Sequence, residues 1–104
     1  MEGLELISFQ IISTVGTARS CYIEAMKASR TGNFDEAERL LKEGQEAFTE
    51  GHRIHAQLLQ TEAQGEHVNI NLLLIHAEDQ LMSAENFKIL AEEFIGTNRL
   101  IYQK

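Results

Sequence analysis

"LLLIHAEDQLM", residues 72–82, sets one histidine and two acids behind four successive apolar residues. Four consecutive apolar positions cannot share one face of a helix, so more than one side of this segment should be buried. At roughly 100° per residue, Ile70, Leu73, Leu74, Ala77, Leu81, Ala84 and Ile95 gather on one side. Leu72, Ile75, Met82, Ile89 and Leu90 form a second stripe on nearly the opposite side. A three-helix chain can bury only one stripe internally. The first is therefore the expected core, and the second is expected to meet other copies of the chain, because a monomer rarely leaves a long apolar ridge in water.

Working outward, the same period marks two further helices. Leu4, Ile7, Ile11, Val15, Ala18, Tyr22 and Ala25 follow spacings of three and four from Leu4 to about Arg30, with a second apolar set at Leu6, Phe9, Ile12, Ile23 and Met26. Gly32 suits a helix stop, and Asn33 followed by Glu36 suits the N-cap of the next helix. That helix is predicted over Phe34 to about Leu59, with Phe34, Ala37, Leu41, Phe48 and Leu58 inward. Gly44 and Gly51 lie seven apart on one side, where they either cost stability for nothing or let another helix approach closely. "TEAQGEHVN" reads as a loop, and the third helix as running from about Val68 to Tyr102. The expected fold is all-α: one domain over residues 1–104, an antiparallel up-down-up three-helix bundle that assembles as a homotrimer. "MKASRTGNFDEAERLLKEG" resembles one tetratricopeptide-type hairpin, but no second copy follows at the required period of about 34 residues, which argues against a solenoid.

Composition narrows the function. The chain has 104 residues, 43% of them apolar, with no proline and seven glycines. Absence of proline favours long helices over turns and short strands. Sixteen acids against nine Lys and Arg give a formal charge of −7, which disfavours nucleic acid and suits a basic partner. The single cysteine, Cys21, excludes an internal disulfide framework, fits a reducing cytoplasm, and reads as core packing. Glu2 and Glu5 stand where a secretory signal would carry lysines, and no apolar run approaches the roughly 20 residues of a membrane span. A cytoplasmic protein is expected.

Two residues of the opening stretch carry candidate chemistry. Asp79 falls inside the second stripe, four residues after Ile75 and three before Met82. An ionised carboxylate in an apolar interface must be paired, protonated or bound to a cation, unless the stripe stays wet and Asp79 faces water. Around a rotation axis, copies of Asp79 would meet one another and share protons or recruit a metal. His76 lies between the stripes, one turn before Asp79 and Gln80. It reads either as a satisfied boundary histidine or as a neutral imidazole able to attack a phosphoryl group. His52 and His55, three apart, could share a metal but lack an accompanying acid motif, and His67 lies in the loop. The chain contains no Glu-x-x-His pair, which disfavours a di-iron bundle.

"HAEDQLM" also resembles a known signature, the His-(Ala/Gly)-Gln-Asp-His-Leu-Met of the IIA component of the lactose/cellobiose (N,N'-diacetylchitobiose) family of the bacterial phosphotransferase system. The match holds at His76, Ala77, Asp79, Leu81 and Met82. "GTARS" (residues 16–20) is similar to the family's Gly-x-Ala-Arg-Ser, "GNFDEA" to its Gly-(Asp/Asn)-Phe-x-x-Ala turn, and His52 occupies its Glu-x-His position. The resemblance implies a homotrimer in which His76 accepts a phosphoryl group from phospho-HPr. It then passes that group to a cysteine of the IIB component during disaccharide uptake. It also implies that Asp79 lies at the trimer axis and can bind a metal ion, with one divalent cation, Mg2+, as the expectation. Ala77 leans towards cellobiose or chitobiose relatives over lactose ones. The sequence departs from the pattern at Glu78 (family Gln) and Gln80 (family His), and His55 stands where Gln is common. Negative charge at Glu78 would oppose a phosphohistidine if the two side chains approached. The alternative is accordingly a transfer-inactive helical bundle with a regulatory or structural role.

Overall fold

The computed structural model describes residues 2–103. Three helices follow one another: α1 (Glu2–Arg30), α2 (Phe34–Ala63) and α3 (Leu72–Tyr102). Cross-helix hydrogen bonds give their directions. Asn98 donates to the Ser29 hydroxyl at 2.9 Å and Arg19 reaches Gln80, so α1 and α3 run the same way. Arg99 donates to Glu38 at 2.6 Å near one end, and His55 meets Glu78 at 2.8 Å near the other, so α2 runs against α3. The result is the expected up-down-up bundle, a rod of 57 × 20 × 19 Å.

The turn between α1 and α2 follows the reading of its residues. Lys27 and Arg30 sit in the last turn of α1, where cations complement the carbonyl end of the helix. Gly32 takes a left-handed φ of 82°, and the Asn33 side chain accepts a hydrogen bond from the Glu36 N–H at 3.3 Å. Asp35 and Glu36 occupy the positive first turn of α2.

The second connection differs from expectation at both ends. Helix α2 continues to Ala63 rather than stopping near Leu59, and the Thr61 hydroxyl donates back to the Gln57 carbonyl at 3.0 Å. Gly65, at φ 91°, completes the stop. Helix α3 starts at Leu72, not Val68, because Asn71 is extended and its side chain caps the Leu74 N–H at 2.9 Å. Ile70 continues the apolar period but lies ahead of that cap. It is 69% exposed and leaves the expected core set.

The core is built on α1. Ile11, Val15, Ala18 and Tyr22 pack with Phe48 and Ile54 of α2 and with Ala77, Leu81, Ala84 and Ala91 of α3. A smaller group, Ala25, Ala37 and Ile95, closes the end near the first turn. The paired glycines of α2 mark close contact with α1. A Cβ at Gly44 would lie 2.7 Å from the Tyr22 ring and 3.0 Å from the Cys21 Cβ, and one at Gly51 would lie 2.7 Å from Val15 Cγ1. Alanines on α1 and α3 and glycines on α2 thus let three backbones share a narrow rod, with Tyr22 and Phe48 filling the space between.

Candidate functional site

Helix α3 presents two unlike faces. Leu74, Ala77, Leu81, Ala84, Ala91 and Ile95 are buried inside the bundle. Leu72, Ile75, Met82, Ile89 and Leu90 are 47–81% exposed, so one chain leaves the whole second stripe uncovered. Asp79 is exposed within that stripe. Among the described residues no group of three or more His, Cys, Asp or Glu comes together within the chain to hold a metal ion. A cation at Asp79 would need carboxylates from further copies.

His76 is exposed at the margin between the two faces. Its neighbours are best read from the residues that depart from the family signature, because both have partners. Gln80 lies one turn after His76 on the same face, and its side-chain carbonyl accepts a hydrogen bond from Arg19 of α1 at 2.8 Å. Glu78, two residues from His76 and therefore about 200° round the helix, turns the other way. Its carboxylate meets His55 Nε2 of α2 at 2.8 Å, with the imidazole largely covered and the carboxylate part-exposed. The charge at residue 78 is thus engaged by α2 rather than aimed at His76.

The remaining candidates separate. His52 packs beside Phe48, ring centroids 6.2 Å apart, while His55 turns to Glu78, so these two imidazoles do not converge on a common point. His67 hydrogen-bonds Asn69 at 2.8 Å in the exposed loop. Cys21 is buried, and burial together with the nearby Glu43 carboxylate pushes its thiol up, away from the reactive thiolate. Two participants were not picked out by sequence periodicity. Arg19 stood in the "GTARS" motif without a role, and the pairing of His55 with Glu78 joins two departures that looked independent. The available signal for the second was the exchange of two neutral positions for one acid and one titratable base.

The chain as a whole is similar to known proteins. The family model described as "PTS system, Lactose/Cellobiose specific IIA subunit" matches residues 6–99. The chain belongs to this family. Its relatives include the oligo-beta-mannoside-specific EIIA component of Bacillus subtilis (strain 168), 43% identical over 88% of this chain and 83% of that protein. Another is the lichenan-specific enzyme IIA component of the same organism, 39% identical over 90% and 86%. The crystal structure of the PTS cellobiose-specific enzyme IIA from Bacillus anthracis superposes with a TM-score of 0.93, 40% identity and coverage of 95% of this chain and 91% of that one. The IIA chain is thus a component of a sugar-specific phosphotransferase system, a carrier of phosphoryl groups. No helix of its described residues is long and apolar enough to cross a membrane.

Proposed function

We infer that His76 accepts a phosphoryl group from phospho-HPr and hands it to a cysteine of the IIB component. The observation that carries this reading is the setting of His76. It is an exposed imidazole at the edge of an apolar stripe, with an arginine-held amide one turn away, and the Glu78 carboxylate that departs from the family pattern is tied to α2. In the loading step a ring-nitrogen lone pair attacks phosphorus. The new N–P bond forms as the bond from phosphorus to the donor breaks, and that electron pair leaves with the donor. In the unloading step the IIB thiolate attacks phosphorus, and the N–P electron pair returns to the imidazole. Positioning and charge compensation are all such a transfer requires of the protein.

The uncovered stripe supports a homotrimer in which Leu72, Ile75, Met82 and Leu90 of three chains meet around Asp79. Three converging carboxylates are hard oxygen donors and fit a divalent cation such as Mg2+, which would neutralise their mutual repulsion. The named specificities of the relatives, oligo-beta-mannoside, lichenan and cellobiose, together with Ala77, support a β-linked di- or oligosaccharide as the sugar served.

Incubation with phosphoenolpyruvate, enzyme I and HPr, followed by intact mass, tests the carrier role. Wild type should gain one acid-labile phosphoryl group and His76→Ala none, while His52→Ala, His55→Ala and His67→Ala remain labelled. An unlabelled wild type would favour the transfer-inactive alternative.

A further inference from the structure

We propose that Arg19 is the anion clamp of this site: its guanidinium leaves Gln80 to bind the phosphoryl oxygens when His76 is loaded. The proposal rests on the carrier reading of His76.

The first observation is one of charge. In a chain of net charge −7, Arg39, Arg53 and Arg99 each pair with a glutamate. Among the described residues, Arg19 forms no ion pair, although it is partly buried in the middle of α1. The positions three and four residues either side of it on the helix are Val15, Gly16, Tyr22 and Ile23, none of them acidic. A guanidinium drawn partly out of water without a carboxylate is costly, and such groups are compensated by an anion. Its hydrogen-bond partner here is the neutral amide of Gln80. That bond uses one of five N–H donors and leaves the charge unmatched.

The second observation is one of direction. Long side chains on helices lean towards the N-terminus of their own helix. Because α1 and α3 run the same way, Arg19 and Gln80 both lean towards the turn that carries His76. One turn before Arg19, Gly16 presents no side chain, and a Cβ there would meet nothing within 4 Å. The guanidinium therefore has room to move, and its planar fork matches two oxygens of a phosphoryl group. Gln80 holds it in waiting with an amide that is not a competing charge. The clamp offsets charge on the equatorial oxygens while the N–P bond forms or breaks, and it takes no part in the bond changes themselves.

The test compares wild type, Arg19→Gln and Arg19→Lys, using phospho-HPr as donor. Initial labelling should fall about a hundredfold in Arg19→Gln, the usual cost of one transition-state donor, with Arg19→Lys intermediate because it keeps the charge and loses the fork. A 31P NMR titration of the loaded protein supplies a readout that a purely structural clamp between α1 and α3 would not move. The nearby cation favours the dianion, so the phosphoryl midpoint should rise in Arg19→Gln and stay low in Arg19→Lys. If Arg19→Gln fails to fold, the Arg19→Lys rate decides, because loss of the planar fork should slow labelling while the retained charge keeps the midpoint low. Labelling at the wild-type rate in either variant, or an unmoved midpoint in folded Arg19→Gln, would overturn the clamp and leave the carrier reading standing. An unlabelled wild type would overturn both.

Discussion

The two faces of α3 contrast in what covers them. The inner face is closed by α1 and α2 with small residues at Ala77, Ala84 and Ala91 and larger ones at Leu74, Leu81 and Ile95. The outer face carries side chains just as apolar, yet none of them is buried by the chain itself. The inner pattern is closed within the chain; the outer one is left uncovered, and the proposed homotrimer rests on it. The polar residues follow the same division. Glu78 and Gln80, on the flanks of the inner face, find His55 and Arg19 within the chain, whereas Asp79 in the middle of the outer face finds no partner in an ion pair or hydrogen bond among the described residues.

Substitution should separate the faces most clearly at neighbouring residues. Leu81→Ala opens a cavity in the core and should destabilise each chain by about 2–5 kcal/mol. Met82→Ala, one residue on, should leave the unfolding of a single chain nearly unchanged and weaken association instead. Denaturant unfolding at several protein concentrations distinguishes the two, since only an association defect depends on concentration.

Glycines give a smaller contrast of opposite sign. At Gly51 a methyl group would press to 2.6 Å from Thr14 Oγ1 and 2.7 Å from Val15 Cγ1, so Gly51→Ala should cost about 1–3 kcal/mol. Gly16 has open space at the same point, and Gly16→Ala should gain roughly 0.5–1 kcal/mol from helix propensity. Thermal melting of both variants beside wild type measures the difference. Equal shifts would mean that α1 and α2 are not held as closely as described.

Much of this division was legible in the sequence. The two stripes of α3, the stop at Gly32 and the Asn33 cap follow from period and turn chemistry, while the glycines of α2 allowed either a plain loss of stability or a close approach, and the contacts with α1 decide for the second. The start of α3 was less legible, because Ile70 fits the apolar period and only the capping geometry of Asn71 excludes it. The site was half visible. His76 and Asp79 stand out as polar residues in a greasy helix. The partners of Glu78 and Gln80 depend on the register between helices, which no single-helix pattern contains. A negative charge beside His76 in the sequence therefore becomes a tie to α2 in the fold.

Asp79 offers the smallest effect and the subtlest one. If three carboxylates converge on the axis, Asp79→Leu replaces a compensated charge by an apolar contact. The variant trimer should then melt at least as high as wild type and ignore chelators. A clear fall in melting temperature would mean that the carboxylate makes favourable contacts elsewhere, and the axial placement would have to be abandoned.

The contrast between the faces is tested most directly by the solution mass of the protein from light scattering at micromolar concentration, for wild type and for Ile75→Lys. Wild type should scatter as three chains. Ile75→Lys, which puts an unpaired charge into the apolar contact, should scatter as one while keeping its helical circular dichroism. A wild type that is a stable monomer under these conditions would contradict the account, for the outer stripe would then be exposed without a partner.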